Sequence, residues 1–435
     1  MKEIKYIFLT LLLFLTISLT NVYGFSFTDI SSGFSGLFSA TVDDNEGNTS
    51  FRSLLIPLGG RAESLGGAYT GLGDDVAYLR FNPAAGSIQK ETQLSLYHNT
   101  WIADSNLETL AYTTRFNKIK NLSVGGYVSC FYVPFTEYNI FGEKTNSSYY
   151  VETITALNAS YNFFAGYDFK GLAVGANIKA GWRNMPNFTD NDTNLVIKGS
   201  GFEQSSIALM ADLGLMLQFN FLKFFASREP NVRIGFSAQN IGIAVTGLGK
   251  TLELDAGLPT LLSLGMSVRF IKPITISFDF AQPSNFLDIG KYLLPYFHLG
   301  VAVQFTNFLS LLFGLQLKGA KPTISTGIEF ELTKVRINFN YSLDFTSSLS
   351  PLNRFSLSTK LMLGDKGRQK VVDEVTEIYK VGLIYYQNGD WENAIKTWQK
   401  ALELDKHFDP AILGIKSAEN QIKMFDLIEK SLMLD

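Results

Sequence analysis

The sequence predicts an all-β transmembrane barrel of fourteen antiparallel strands, with an N-terminal hatch segment before it and a small all-α domain after it. Two observations lead to this fold class. Aromatic residues make up 14% of the 435 residues and charged residues only 18%, against about 25% charged residues in ordinary soluble domains. Between residues 92 and 364, apolar and polar residues alternate with a period of two, as in strands with two different faces.

The N-terminus, residues 1–24, has the pattern of a secretory signal peptide. Lys2 and Lys5 precede an apolar run from Tyr6 to Leu19, and small residues follow it. A retained anchor helix is the alternative, although a helical span needs about 20 apolar residues. The chain is therefore expected to be exported.

Composition and residue spacing exclude several other classes of protein. The formal net charge of −3 gives no basic field for nucleic acid. Cys130 is the only cysteine, so an intramolecular disulfide is excluded. The three histidines lie in different predicted elements and Ser64 lacks the glycine that begins a nucleophile elbow. We therefore predict no catalytic residues, no metal site and no cofactor.

Fourteen segments with period-two alternation follow the hatch segment. They lie near residues 92–101, 109–116, 121–133, 154–163, 171–183, 205–219, 232–240, 260–270, 274–282, 296–305, 309–318, 323–332, 335–345 and 353–363. An even number is typical of bacterial outer-membrane barrels. The barrel is accordingly predicted over residues 92–364.

The segment from Val335 to Phe345 shows the alternation most clearly, with apolar residues at odd positions and polar residues at even positions. Its length matches the ~9–11 residues with which a strand crosses a bilayer. Charged residues in all the predicted strands fall on the polar face, and a Lys or Arg facing lipid at mid-depth would cost ~2–4 kcal/mol. A solvated sheet separates its faces too, so this pattern alone leaves a β-sandwich open.

Connection lengths favour the barrel. The connections after predicted strands 3, 5, 7 and 9 are long, at about residues 135–153, 184–204, 241–259 and 283–295, and those after strands 2, 8, 10 and 12 are short turns. The connection between strands 6 and 7 is a long exception, and those after strands 1 and 11 are short ones. Long external loops alternate with short periplasmic turns in outer-membrane barrels. With an even strand count, the start of the first strand, the end of the last strand and the tail, residues 365–435, are all expected on the periplasmic side.

Residues 25–91 do not alternate and are rich in glycine, above all from Pro57 to Ser87. A barrel well above eight strands has an interior too wide for its own side chains to fill. We therefore predict that this segment is a hatch inside the barrel. A disordered linker is the alternative, but the segment is too apolar for a solvated coil.

Here the sequence resembles the FadL-type outer-membrane long-chain fatty-acid transporters and their PorV-like relatives, whose barrels have fourteen strands. The matching segments are Arg61-Ala62, Leu65-Gly66-Gly67-Ala68, Asp74-Asp75, Phe81-Asn82-Pro83-Ala84, Ala238 to Gly242 and Leu258 to Gly265. The resemblance implies a hatch and ligand path formed by Arg61, Gly66, Gly67, Asp74, Asp75, Asn82, Pro83 and Ala84.

The resemblance also implies a lateral exit, since ligands of this family leave through a gap at a kink in the third strand. Gly125 and Gly126 lie in the middle of that strand here and are the candidates for a lateral opening. Interior glycines weaken or bend a strand. The alternative is that the two small residues simply accommodate the hatch.

The C-terminal tail changes from period two to a helical pattern. Residues Tyr379 to Asp405 resemble a tetratricopeptide repeat, followed by a third helix at about Pro410 to Ser431. One repeat cannot bury its own core, so the tail is expected to dock on a partner. Trp391 and Trp398 are the candidate partner-binding residues, with Trp398 at a packing position of the repeat.

The function that the resemblance implies is passive uptake of long-chain fatty acids or other hydrophobic compounds across the bacterial outer membrane, with no enzymatic activity. The alternative is a PorV-like adaptor that transports nothing and recruits periplasmic or secreted proteins. The expected partners are a fatty-acid-like molecule, outer-membrane lipid and a periplasmic protein held by the tail.

Overall fold

The computed structural model describes residues 49–102, 104–116, 121–139, 141–166, 169–190, 195–225, 227, 229–249, 251–285, 294–318, 321–345 and 352–432. The predicted signal peptide and the first part of the predicted hatch, residues 25–48, lie outside these ranges. The described chain forms a hatch, a closed barrel around it, and a helical tail.

The barrel is a closed antiparallel sheet. Over the described residues it has fourteen long strands, and a two-residue strand, β8, pairs with the end of β7. The pairing of β1 with β15 and of β6 with β7 closes the circle. The strands are β1 (Gln93–Thr100), β2 (Asn106–Arg115), β3 (Leu122–Tyr138), β4 (Lys144–Phe163), β5 (Leu172–Asn184), β6 (Ser206–Phe219), β7 (Val232–Thr246), β8 (Glu253–Leu254), β9 (Thr260–Val268), β10 (Ile274–Ser284), β11 (Tyr296–Gln304), β12 (Leu309–Lys318), β13 (Lys321–Glu331), β14 (Val335–Asp344) and β15 (Leu352–Met362). The predicted fourteen-stranded barrel is confirmed.

The two faces of the wall differ as the alternation predicts. On β14, Phe339 and Tyr341 each expose 42% of their surface, whereas Asn338 and Asn340 are buried. Large apolar residues are exposed on the outside of most of the strands, among them Leu96, Leu110, Leu157, Ile178, Leu209, Phe236, Leu264, Phe278, Leu299, Phe313, Ile328 and Phe355. Such a continuous apolar belt is stable where lipid covers it, so the chain is an outer-membrane type of barrel.

One predicted loop is instead a strand pair. Residues 135–153 were expected to be a long connection, but β3 extends to Tyr138 and β4 begins at Lys144, joined by a short turn. Side chains in this extension are mostly exposed or half-buried. A hairpin that projects into water has no face to keep apolar, so its sequence loses the alternation on which the prediction depended.

The hatch fills the barrel with tightly packed backbone. It contains a short helix, α1 (Gly60–Ser64), and 3₁₀ turns at Arg52–Leu55, Val76–Arg80 and Pro83–Ile88. Phe51, Tyr69 and Tyr78 are completely buried in its core. The strands meet it through inward glycines, where a side chain would collide with the hatch: Gly125, Gly175, Gly214, Gly235, Gly265, Gly300, Gly314 and Gly327.

The tail consists of three helices, α2 (Arg368–Gln387), α3 (Trp391–Leu404) and α4 (Asp409–Leu432). Trp398 lies at the centre of their core, and a side chain at Gly382 would collide with its indole ring. Asp390 begins α3 as its N-cap, accepting a hydrogen bond from the backbone amide of Asn393. None of the described helices has the length and apolar composition needed to cross a membrane.

Candidate ligand path

The hatch separates two cavities inside the barrel. We call the end where β1 begins and β15 ends the near end, and the opposite one the far end. Far-end strand residues such as Leu261, Ala281 and Thr323 line a cavity of about 120 Å³, the far cavity. Near-end residues such as Arg233 and Gln304 line a cavity of about 340 Å³, the near vestibule.

The far cavity has a largely apolar hatch side. Leu54 to Leu58 and Phe81 contribute aliphatic and aromatic surface, and Leu261 and Ala281 extend it onto the wall. Polar residues make up much of the remaining lining, among them Glu63, Arg80, Asp279, Arg354 and His298, whose Nδ1 lies 2.7 Å from the carbonyl oxygen of Gly66. Small-molecule sites likewise combine apolar walls with polar groups that fix the ligand's orientation.

The near vestibule is lined mainly by charged side chains. Its cationic residues are Arg61, Lys90, Arg233, Arg269, Lys272, Arg336 and Lys360, and its acidic residues are Asp74, Glu91, Glu229, Glu329 and Glu331. Both signs alternate over its surface, so it suits water and polar solutes and does not suit an apolar ligand.

The predicted site residues Arg61 and Asp74 are joined at the near side of the hatch. The Arg61 guanidinium binds Asp74 through two nitrogens, with Nη2–Oδ2 at 2.9 Å, and binds Glu329 of β13 through Nη1 at 2.9 Å. Tyr69 donates its hydroxyl hydrogen to Asp74. Burial by itself raises the pKa of Asp74, but Arg61 and these hydrogen bonds outweigh it, so that the net pKa is lowered and the carboxylate is charged.

Asp75, also predicted, forms the second charged link between hatch and wall. Its carboxylate caps the turn Val76–Arg80 by accepting from the amide of Ala77, and binds Lys360 of β15 at 2.5 Å. Glu63 forms a third link, accepting from Ser356 at 2.9 Å and from Ser342 at 3.2 Å. Polar links thus fix the hatch to β13, β14 and β15.

Gly66 and Gly67 border the far cavity, as the predicted ligand path requires. Both have positive φ, at 64° and 82°. A Cβ on Gly66 would lie 2.7 Å from the backbone nitrogen of Leu315, so the hatch backbone rests directly on β12 here.

Asn82, Pro83 and Ala84 pack on the wall and line neither cavity. The Asn82 amide donates to the carbonyl oxygens of Thr70 and Leu215, both at 3.0 Å, and its Oδ1 accepts from the amide of Ala84. Glycines of β5 and β6 leave room for Pro83. These three residues therefore position the hatch.

Gly125 and Gly126 lie within continuous ladders. Gly125 pairs with Thr113 and Asn158, and Gly126 with Tyr112, without a register shift. A Cβ on Gly125 would lie 3.0 Å from the Tyr78 hydroxyl. This geometry favours the alternative reading for Gly125, accommodation of the hatch, and the lateral opening at this pair stays a prediction.

The wall is irregular at β7, which the sequence reasoning did not anticipate. The register with β6 shifts between Ala211 and Leu213, so Gln239 and Asn240 together oppose Asp212. Asn240 has a φ of 58° and donates its amide to Asp212 at 2.7 Å. Lys179 binds Asp212 at 2.6 Å inside the barrel. The Ala238–Gly242 motif marks this bulge.

The two tail tryptophans have different environments. Trp398 exposes only 1% of its surface. It is therefore a packing residue of the tail and does not contribute to the predicted partner contact. Trp391 is half-buried, with its ring centroid 5.1 Å from that of Phe425. The partner-contact prediction therefore depends on Trp391.

Glu63, Glu329, Arg354 and Lys360 were absent from the predicted site. The sequence does indicate that the last three, as charged residues on the polar faces of β13 and β15, point into the barrel. What the sequence did not reveal is that the hatch would meet these strands and not others.

Comparisons with known proteins agree with this division into barrel and tail. Residues 28–366 match the model of an uncharacterised protein family, UPF0164, and residues 382–409 match a TPR repeat, which confirms the predicted tetratricopeptide repeat. A UPF0164 protein of Treponema pallidum (strain Nichols) is 27% identical over 407 residues, covering 91% of this chain and 88% of that protein. A second one is 26% identical over 405 residues, covering 89% of this chain and 78% of that protein.

Solved structures similar to the chain are barrels. The CymD monoaromatic hydrocarbon channel has 14% identity and a TM-score of 0.48, covering 71% of this chain and 98% of that one. A Pseudomonas aeruginosa FadL homologue has 10% identity and a TM-score of 0.41, covering 71% of this chain and 99% of that one. By the match over residues 28–366, the chain belongs to the UPF0164 family of uncharacterised proteins.

Proposed function

We propose that this outer-membrane barrel takes up small hydrophobic compounds passively from the far end, which faces outward. The observation that carries the proposal is the far cavity, whose hatch side is largely apolar and which the hatch separates from a charged vestibule. The free energy of an apolar solute falls when it enters the far cavity from water, and rises when it must displace water from the charged groups of the near vestibule. The hatch thus holds such a solute beside the wall.

The size of the far cavity narrows the ligand class. Its volume of about 120 Å³ is close to the ~150 Å³ apolar cavity that holds one benzene ring, and below the ~300 Å³ at which sites for drug-sized ligands begin. With the hatch in this position, the cavity fits a single-ring hydrocarbon. A long-chain fatty acid needs the hatch to move.

The bulge of β7 offers a sideways exit beside this cavity. The ladder between β7 and β9 ends at the pair Gln239 and Leu261, and on that side, over the described residues, β7 is paired again only at Val245 and Thr246, by β8. Both Gln239 and Leu261 line the far cavity. An apolar solute leaving here would pass into lipid without crossing the charged near vestibule. Gly125 and Gly126 remain the other candidate exit.

Two matched substitutions test the proposal. Ala281→Phe fills the far cavity, and Ala302→Phe places the same ring in the near vestibule on the neighbouring strand. In cells without other hydrocarbon channels, we expect uptake of labelled toluene by the wild type, background uptake by Ala281→Phe and near wild-type uptake by Ala302→Phe. Wild-type uptake no higher than that of cells without the barrel would refute the function, and equal effects of the two variants would refute the path.

The helical tail favours a second candidate, an adaptor that recruits a periplasmic protein. It contains one tetratricopeptide repeat, where about three are normally needed for stability. Met424, Phe425 and Leu427 near the end of α4 each expose more than half of their surface. If toluene uptake is absent and the tail retains a partner, the adaptor function replaces transport.

A further inference from the structure

One sector of the barrel interior is polar on both of its sides. The inward residues of β13, β14, β15 and β1 are mostly polar: Ser, Thr, Asn, Gln, Tyr and charged residues. The helix α1 of the hatch lies against β12 to β15 and has its own polar residues, Arg61, Glu63 and Ser64, pointing to them. We call the space between α1 and these four strands, β13 to β15 and β1, the polar seam.

Buried polar atoms without a protein partner are concentrated along this seam. They include Ser95 Oγ, Tyr97 Oη, Asn99 Oδ1, Glu329 Oε2, Asn338 Nδ2 and Asn340 Oδ1, all on side chains that are more than nine-tenths buried. Nε of Arg336 and Nε of Arg354 lie 3.9 and 3.8 Å from the nearest carboxylates, beyond hydrogen-bond distance. Buried donors and acceptors nearly always have hydrogen-bond partners, so such a row of atoms is expected to bind water or other molecules with hydroxyl groups.

The two cavities come within a few residues of each other along the seam. On β13, Ser325 lines the far cavity and Glu329 lines the near vestibule. Four residues of a strand span only about 13 Å. Between them lies Gly327, where a Cβ would be 2.6 Å from Cβ of Ser64. Ser64 therefore packs closely on Gly327 between the two cavities, and we take this contact as the narrowest point of the seam on this strand.

We propose that the polar seam is a second permeation path, which passes water and small uncharged hydrophilic solutes such as glycerol. Its free atoms are both donors and acceptors, as hydroxyl groups require. Its charges are of both signs and paired, with Arg61 on Glu329 and Lys360 on Asp75. An ion of either sign would meet a charge of its own sign, so a neutral solute is favoured. This path leads from the far cavity to the near vestibule, so it shares the far cavity with the apolar route but not that route's exit into lipid.

Swelling of liposomes that contain the purified full-length barrel tests the seam. Ser64→Gly widens the narrowest point, and Ser64→Thr adds a methyl group there while keeping the hydroxyl. The matched control is Ser87→Gly, a completely buried hatch serine whose turn, Pro83–Ile88, packs on β4 to β6. Heat-modifiable migration in detergent checks that each barrel is folded.

We expect wild-type liposomes to swell in glycerol faster than protein-free ones, Ser64→Gly to be severalfold faster again, and Ser64→Thr to be slower than the wild type. Ser87→Gly should match the wild type. If Ser64→Gly does not assemble, the comparison of wild type with Ser64→Thr decides. Wild-type swelling at the protein-free rate, no change with Ser64→Thr, or the same acceleration by Ser87→Gly would each overturn the proposal.

Discussion

Nη1 of Arg61 in the hatch lies 2.9 Å from Oε1 of Glu329 on β13, two residues separated by 268 positions in the chain. The same guanidinium holds Asp74 of the hatch. The side chain of Glu329 is only 4% exposed, so its carboxylate has little access to water if the arginine is lost. This cluster is therefore the charged connection that ties the hatch to the wall.

We expect Arg61→Met to destabilise the folded protein by about 3–5 kcal/mol, because the buried Glu329 and the largely buried Asp74 lose their shared partner. The matched control is Arg336→Met, since Arg336 is more exposed and pairs at 2.9 Å with the partly exposed Glu331. Its loss should cost about 1 kcal/mol or less. Urea unfolding in detergent micelles measures both. Equal losses would show that burial of the Arg61 cluster does not determine its contribution.

A second prediction concerns depth in the membrane. Phe339→Arg places a charge on the lipid face in the middle of β14, and Val335→Arg places it on the same face at the near end of that strand. The first should cost ~2–4 kcal/mol and the second ~0–1 kcal/mol, because the penalty falls toward the interface. Heat-modifiable migration of the assembled barrels reports the difference. The membrane-belt interpretation is wrong if the two variants assemble equally well.

Asn338 shows how far the sequence alone can go. The alternation predicts that it faces the barrel interior; there it is buried and accepts a hydrogen bond from Ser64 of the hatch at 3.1 Å. Alternation fixes which way a side chain points, since the period of a strand is two. It contains no information about what fills the interior opposite.

The strands could be predicted from this alternation, because every lipid-facing position along a strand must be apolar. The contacts between hatch and wall could not. Gly66 and Gly314 approach each other so closely that a side chain on either would collide with the backbone of the other's segment. The local sequence around each glycine does not indicate which residue it will contact, because the contact joins two segments that are far apart in the chain.

This close approach gives a third prediction. Gly66→Ala should destabilise the protein by about 1–3 kcal/mol more than Gly142→Ala, measured by urea unfolding. Both glycines have positive φ, at 64° and 77°, so both variants bear the same left-handed strain. A Cβ has open space at Gly142 and meets the Leu315 backbone at Gly66, which adds the cost of overpacking. Indistinguishable variants would mean that hatch and β12 separate easily.

The last prediction tests topology and the tail together. With fourteen strands, the first strand begins and the last strand ends on the same side of the membrane. We expect that side to be the periplasm, so a tail that begins after β15 should lie there. Protease added to intact cells should then leave a C-terminal epitope tag in place, and remove it only after the outer membrane is permeabilised. Digestion of the tail on intact cells would contradict the orientation.

The two tail tryptophans supply a matched pair of substitutions for the partner. Trp398→Ala removes the centre of the core and should cost about 3–5 kcal/mol, so in permeabilised cells protease should digest this tail faster than the wild-type tail. Trp391→Ala leaves that core in place and removes a half-buried ring beside Phe425. Because Trp391 packs on the exposed Phe425 near the end of α4, Trp391→Ala should weaken co-purification of a periplasmic protein while the tail stays folded. A tail that retains its partners equally in wild type and Trp391→Ala would place the contact elsewhere on the helices.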